Sequence, residues 1–282
     1  MLKKTIFSIA VSMLAFFAGC QSPTDDAYTL TVGTISGPET QLMEVAQDVA
    51  KKCYGLKIKI VTFSDYNIPN VALHDGSIDA NMFQHFPYLQ AQDRAQGFRI
   101  VSAGKTFVYP MGIYSKTVAN LQSIPTNAKI AVPNDPSNLA RALLLLQKAD
   151  LITIKSQTSA FATVADIQKN PKNLVIVPLA AAQLPRALSD VTAAVINTNY
   201  AIPAGLLLSQ ALFMEGPDSP YANIVAMRTD DVNNPKIKEL MAALHSRQAL
   251  EAASRIFGSG AIPAWNLQEP ILPCTVTKHD KS

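Results

Sequence analysis

One order of predicted elements, strand–helix–strand–helix–strand, occurs twice along this chain of 282 residues. Alternating β-branched segments predict the strands, and apolar residues at helical spacing predict the helices. The first copy takes residues 29–33, 39–54, 56–63, 70–73 and 78–83. The second copy takes residues 129–133, 139–149, 173–179, 183–188 and 192–197. Because helical crossovers join parallel strands, the duplication predicts an α/β fold of two lobes, each with a mostly parallel sheet, and a ligand cleft between them.

Two further strand-like segments set the expected lobe boundaries. Residues 107–115 and 223–228 suit strands that cross from one lobe to the other, and residues 235–257 predict one helix that returns to the first lobe. We therefore expect lobe 1 to comprise residues 29–106 and 223–282, and lobe 2 to comprise residues 107–222.

The N-terminus has the pattern of a bacterial lipoprotein signal. Two lysines precede an apolar run of twelve residues, which is too short to span a membrane, and Ala18 and Gly19 precede Cys20. Residues 1–19 are the expected signal peptide, Cys20 the lipidated residue and 20–28 a short tether. Phe17 departs from the usual Leu, so an ordinary cleaved signal with an incidental cysteine is the alternative. The prediction is a lipid-anchored protein of the bacterial cell envelope that faces the periplasm or the cell exterior.

Charge and cysteine content limit the other possibilities. Removal of residues 1–19 takes away two lysines and no acidic residue, so the net charge falls from +3 to +1. A near-neutral chain gives no indication of a nucleic-acid partner. Cys53 and Cys274 remain, and in an oxidising compartment they could form a disulfide. The alternative is a buried, unpaired Cys53 and a Cys274 in a loose tail.

Motifs of enzymes, metal sites and cofactor sites are missing from the sequence. It contains no nucleophile elbow, no Walker loop and no dinucleotide-binding glycine motif. Its four histidines are far apart and have no ligand spacing, so no metal site is expected. We therefore expect a binding protein that performs no catalysis and carries no cofactor.

The helix predicted at 139–149 carries the first candidate site. Capping residues crowd before it, and Arg141 falls in its expected first turn. Backbone N–H groups at a helix N-terminus attract anions, and a guanidinium there adds a bidentate fork. A small carboxylate is the expected guest, and Arg141 is not expected to support the fold. A surface arginine paired with a nearby acid is the alternative.

Aromatic and amide side chains follow the other predicted strands. Tyr66, Phe83, His85 and Tyr88 would place aromatic faces at the cleft, where they suit a small apolar or thioether side chain. Core packing is the alternative for these rings. Asn197 ends a predicted strand, and its amide could accept from an ammonium and donate to a carboxylate.

Long stretches resemble one family of bacterial binding lipoproteins. The segments "NDPSNLARALLLLQKA", "YGLKIKIVTFSDYNIPNVALHDGSIDANMFQHFPYL" and "AAVINTNYA" are similar to the NlpA/MetQ family, from about residue 29 to Trp265. The resemblance implies a type II periplasmic-binding-protein fold and capture of L-methionine. It also implies delivery to the membrane permease and ATPase subunits of an ATP-binding-cassette (ABC) importer. The alternative ligands are another small amino acid or a methionine-containing dipeptide. The alternative function is that of a surface adhesin or antigen.

The resemblance also implies roles for individual residues. Arg141 and Asn138 would hold the ligand's α-carboxylate, and Asn197 and Asn223 its amino and carboxylate groups from the other side. Tyr66, Phe83, His85 and Tyr88 would enclose its side chain. Two departures are visible: the first turn reads "TISGPE" where the family often has Pro-His, and the chain continues past Trp265. The first departure is expected to alter the rim of the cleft.

Overall fold

The computed structural model describes residues 28–155, 161–268 and 272–274. Its α-helices are α1 (Pro38–Tyr54), α2 (Pro69–His74), α3 (Phe86–Gln96), α4 (Pro136–Lys148), α5 (Leu184–Ala187), α6 (Thr198–Ala201), α7 (Pro235–Leu244) and α8 (Arg247–Phe257). Its strands are β1 (Thr29–Ile35), β2 (Lys57–Phe63), β3 (Ala80–His85), β4 (Ile100–Val108), β5 (Gly112–Tyr114), β6 (Lys129–Pro133), β7 (Thr153–Ile154), β8 (Ile167–Lys169), β9 (Val175–Leu179), β10 (Ala193–Ile196), β11 (Phe213–Met214), β12 (Ala222–Arg228) and β13 (Ile262–Pro263). The predicted signal segment, Cys20 and the tether up to residue 27 lie outside the described residues.

Two sheets of the same design organise the two lobes. The first sheet has the order β13-β4-β12-β3-β1-β2, and the second has the order β11-β5-β10-β6-β9. In each sheet three neighbouring strands run parallel, β3-β1-β2 in the first and β10-β6-β9 in the second. Antiparallel strands complete both sheets. The duplicated order read from the sequence is therefore confirmed, with antiparallel strands added at one side of each parallel core.

The connections between the sheets differ from the prediction. The segment predicted as one strand at 107–115 consists of the end of β4 and the separate strand β5, with Pro110 between them. Proline has no N–H to offer a strand ladder, which interrupts the pairing there. Residues 109–111 thus lead from the first sheet to the second, and residues 215–221 lead back. Both segments pass beside the cleft described below.

The C-terminal helix predicted at 235–257 is wrong as a single element. It consists of α7 and α8, and Ser246 separates them. The Ser246 hydroxyl accepts a hydrogen bond from the N–H of Ala249 at 3.2 Å, which caps the start of α8. Both helices pack with α1 on one face of the first sheet, and their apolar residues form the main core of lobe 1.

A disulfide joins Cys53, at the end of α1, to Cys274 in the C-terminal tail. Of the two possibilities that the sequence left open for these cysteines, the structure shows the pairing. The hydroxyl of Tyr54 donates to the carbonyl of Leu272 at 2.8 Å, so the tail contacts lobe 1 at a second point. Among the residues that the structure describes, no helix is both long enough and apolar enough to cross a membrane.

Candidate ligand-binding cleft

A cleft between the two lobes gathers all eight ligand-binding residues expected from the sequence. It lies at the ends of the parallel strands, where α/β sheets commonly bind ligands. The expected residues that line it are Tyr66, Phe83, His85, Tyr88, Asn138, Arg141, Asn197 and Asn223. Five further lining residues were not predicted, namely Glu39, Gln84, Tyr109, Thr198 and Asn199.

Aromatic rings form one wall of the cleft. Tyr66 lies 5.8 Å from Phe83 and 5.9 Å from Tyr88 between ring centroids, and Phe83 and Tyr88 are 5.7 Å apart. These spacings are typical of favourable tilted and edge-to-face aromatic pairs. The Tyr88 hydroxyl donates to the carbonyl of Tyr66 at 2.9 Å, which holds the loop between β2 and α2 against α3. The wall is apolar and suits a small uncharged side chain.

His85 is held in a single neutral form. It caps α3, and its Nδ1 accepts a hydrogen bond from the N–H of Tyr88 at 3.1 Å. The proton must then be on Nε2, which lies 3.2 Å from Oδ1 of Asn138 in lobe 2 and donates to it. Burial, together with the nearby charge of Arg141, lowers the pKa of His85 to about 3. At neutral pH the ring is therefore an uncharged bridge between the lobes.

Asn138 organises its neighbours at the start of α4. Its amide nitrogen donates to both carboxylate oxygens of Asp135, at 3.1 and 3.0 Å. Its amide oxygen accepts from Nδ2 of Asn197 at 2.9 Å as well as from His85. Asp135 thus holds the Asn138 amide in place, and the Asn138 oxygen in turn orients Asn197 and His85.

Arg141 lies in a different position from the one expected. Asp135 caps α4 and Pro136 is its first residue, so the helix begins three residues earlier than predicted and Arg141 falls in the second turn. The side chain is only 3% exposed. Its Nε donates to Oε1 of Glu215 at 2.8 Å, and its Nη2 donates to Oε2 of the same carboxylate. The expectation that Arg141 does not support the fold is therefore wrong.

The Arg141–Glu215 pair connects both segments that cross between the lobes. Nη2 of Arg141 also donates to the carbonyl of Tyr109 at 3.0 Å, and Glu215 accepts from the N–H of Met111 at 2.9 Å. The guanidinium carbon lies 4.5 Å from the ring centre of Tyr221. Within the described residues, Nη1 of Arg141 makes no hydrogen bond. Arg141 is one of the residues that line the cleft, so Nη1 is the guanidinium donor that remains for a ligand.

Glu39 is a buried acid at the second position of α1. Gly37 precedes the helix with a φ of 123°, a backbone conformation that only glycine adopts readily. The Glu39 side chain is 1% exposed and accepts hydrogen bonds from Nδ2 of Asn223 at 3.0 Å and Nδ2 of Asn199 at 3.4 Å. Burial raises its pKa well above the usual value, although the two amides oppose the shift.

Two buried polar atoms in the cleft lining have no hydrogen-bond partner among the described residues. They are Oδ1 of Asn197 and the hydroxyl oxygen of Tyr109. Buried polar atoms are rarely left unpaired in folded proteins because the loss of hydration is costly. Both atoms are therefore positioned to bond a ligand. Together with Arg141, Glu39 and the aromatic wall, they suit a small zwitterion with an apolar side chain.

Comparison with known proteins agrees with this chemistry. The sequence model of the NlpA lipoprotein family matches residues 30–265. This chain belongs to the NlpA lipoprotein family. A relative from Salmonella typhi, named D-methionine-binding lipoprotein MetQ, is 48% identical over 251 residues, which cover 88% of this chain and 93% of the relative.

Solved structures of similar proteins share the fold. A periplasmic substrate-binding protein of an ABC transporter from Coxiella burnetii is 64% identical, with a TM-score of 0.82 over 83% of this chain and 100% of that chain. A nutrient-binding protein from Burkholderia cenocepacia, solved with methionine bound, is 48% identical, with a TM-score of 0.82 over 84% of this chain and 100% of that chain. The predicted type II periplasmic-binding-protein fold is confirmed.

Proposed function

We propose that this protein binds L-methionine in the cleft between its lobes and delivers it to an ABC importer. One observation carries the proposal: a single cleft combines a guanidinium, a buried carboxylate and an aromatic wall. Free amino acids with an apolar side chain carry the complementary groups. The methionine-bound relative from Burkholderia cenocepacia supports the choice of side chain.

The ligand's carboxylate would lie against Nη1 of Arg141. This nitrogen is the part of the guanidinium that Glu215 and Tyr109 leave free within the described chain. The pairing with Glu215 holds the guanidinium plane in place, so little side-chain conformational entropy is lost when the ligand binds. The thioether would contact Tyr66, Phe83 and Tyr88, since sulfur atoms pack favourably against aromatic rings.

The two enantiomers present the same three groups with different arrangements around Cα. Curated relatives are named for D-methionine, whereas the sequence resemblance implied L-methionine. Binding of both forms is compatible with the proposal, and the preferred form is one of its measurable outcomes. Another small amino acid or a methionine-containing dipeptide is the second candidate, because apolar walls discriminate weakly between ligands of similar size.

Delivery to an importer requires attachment to the membrane. Family membership and the signal pattern support lipidation of Cys20, which would leave the binding domain tethered by residues 20–28 in the cell envelope. The permease and ATPase subunits of the importer are the proposed partners. We expect Cys20→Ala to abolish lipid labelling and to release the protein from membranes, whereas labelling that persists would exclude this anchor.

A thermal-shift screen of free amino acids on ligand-stripped protein tests the function. A ligand at about 100 times its Kd stabilises the folded state by about 2.7 kcal/mol. For a chain of this size, that corresponds to a rise in Tm of roughly 5–10 °C. We expect L-methionine to give the largest rise. Equal, negligible shifts for all amino acids would instead favour the adhesin or antigen alternative.

A further inference from the structure

The geometry points to Glu39 as a further specificity-determining residue that binds the ligand's ammonium beside Oδ1 of Asn197, whose contact with the amino group the family resemblance already implies. Tight binding then depends on a free, charged α-amine. This inference rests on the proposed function and deepens it, because it defines the ligand class at the other end of the molecule from Arg141. The sequence comparison placed the "TISGPE" turn only at the cleft rim. In the structure, Glu39 of this turn lies inside the cleft.

Glu39 is prepared for a cation that the described chain does not supply. Its two carboxylate oxygens accept only neutral amide donors, from Asn223 at 3.0 Å and Asn199 at 3.4 Å. Arg141, the cationic residue that lines the same cleft, forms its salt bridge with Glu215 instead. A buried carboxylate without a counter-charge is costly, and a ligand ammonium would remove that cost.

Other contacts fix the side-chain amide of Asn199 and the main chain of Asn223, the two residues that contact Glu39. The Asn199 oxygen accepts from the Tyr66 hydroxyl at 2.7 Å, which directs its nitrogen toward Glu39. The main-chain carbonyl of Asn223 accepts from the Thr106 hydroxyl at 3.2 Å within the first sheet. The carboxylate is therefore oriented before a ligand arrives.

Asn197 provides the independent observation. The residue is 92% buried, and its Nδ2 donates to Asn138 while its Oδ1 has no partner among the described residues. An amide oxygen can only accept, so a ligand group that satisfies it must carry a hydrogen-bond donor. An ammonium carries three N–H donors, which suit the Asn197 oxygen and a Glu39 oxygen together.

The position of Glu39 near the N-terminus of α1 does not by itself explain why its carboxylate is buried. An acidic side chain in the first turn benefits from the helix dipole, but that benefit is available at the surface without loss of hydration. The helix dipole would stabilise Glu39 without burying it in the cleft beside the unpaired oxygen of Asn197. The expected ligands are thus primary α-amino acids, while acids that lack the amine and N-acylated amino acids bind weakly.

A double-mutant cycle between protein and ligand tests the subsite. The protein variants are wild type and Glu39→Gln, and the ligands are L-methionine and 4-(methylthio)butanoic acid, which lacks only the amine. Titration calorimetry should show that Glu39→Gln weakens L-methionine binding by roughly 30-fold to several thousand-fold, as expected for loss of one partner of a buried charge pair. The affinity for the deaminated acid should stay the same or improve.

Two controls make the cycle decisive. Glu44→Gln changes an exposed acid on the same helix and should leave both affinities unchanged. Glu39→Asp keeps the charge but withdraws it by one methylene, so it should bind L-methionine between wild type and Glu39→Gln. Apo melting curves establish that each variant is folded.

The outcomes separate this inference from the proposed function. If wild type binds L-methionine but both Glu39 variants bind it equally well, the subsite is refuted and the function stands. The same conclusion follows if Glu39→Gln weakens both ligands by the same factor, because Glu39 would then act without contacting the amine. If wild type binds neither enantiomer of methionine nor any other amino acid, the proposed function itself fails.

Discussion

Replacement of Arg141 by alanine should destabilise the unliganded protein as well as weaken ligand binding. Arg141 and Glu215 are 3% and 8% exposed, and the substitution leaves the Glu215 carboxylate buried without its cation. Breaking a buried ion pair by removing one partner costs about 3–5 kcal/mol. At roughly 2–4 °C per kcal/mol for a chain of this size, Tm should fall by about 6–20 °C.

Thermal melting of ligand-free protein measures this cost. Arg247→Ala is the matched control, because Arg247 pairs with Glu251 at the surface, where both side chains are largely exposed. An exposed pair contributes about 0–1 kcal/mol, so this variant should melt close to wild type. The double variant Arg141→Ala/Glu215→Ala should be less destabilised than the sum of the single variants, because it removes the stranded charge together with its partner.

An Arg141→Ala variant that melts within 2 °C of wild type would contradict this prediction. Such a result would mean that Glu215 finds water or another donor, and that the pair does not hold the two crossing segments together. A double variant as unstable as the sum of the single variants would likewise show that the two residues act independently.

Three other predictions concern groups near the cleft and the tail. Because burial raises the pKa of Glu39, its contribution to stability is present below about pH 4 and is lost as pH rises. Denaturant unfolding should therefore show that apo Glu39→Gln is more stable than wild type at neutral pH and that this gain disappears in acid. A difference in unfolding free energy that stays constant with pH would contradict this. The pKa of His85, lowered to about 3, predicts the opposite trend: the protein should lose stability as pH falls below about 6.5. The His85→Gln variant should lose less stability over that range, and identical stability profiles of variant and wild type against pH would argue against this role of His85. The Cys53–Cys274 disulfide links residues 221 positions apart, so its reduction should lower the stability of the wild type by up to about 5 kcal/mol in the chain-entropy description. As the control, melting curves of Cys274→Ser with and without reductant should coincide.

The duplicated fold was predictable because its signals are local. Strands such as β6 and helices such as α1 carry their own periodicity, caps and glycine ends, so their bounds follow from nearby residues. The antiparallel strand β4 was predicted only at its end because residues 100–106 contain Gly104 and Lys105 and lack a continuous apolar alternation. The break between α7 and α8 depends on the single cap at Ser246.

The partners within the cleft were harder to predict because they come from distant parts of the chain. Arg141 and Glu215 are 74 residues apart, and only the return of the chain from the second sheet brings them together. Glu39 meets Asn223 across 184 residues, where β12 returns the chain to the first sheet. Local composition thus indicated which side chains could bind a ligand, but not which charges the fold itself neutralises.

Titration calorimetry of ligand-stripped protein with L-methionine and D-methionine is the most direct test of the central claim. We expect saturable binding of L-methionine at one site per chain, with a matching rise in Tm, and the D form measured alongside sets the preference. Absence of binding heat and of any Tm rise for both enantiomers, in a protein shown to be folded, would contradict the proposal that this cleft captures methionine.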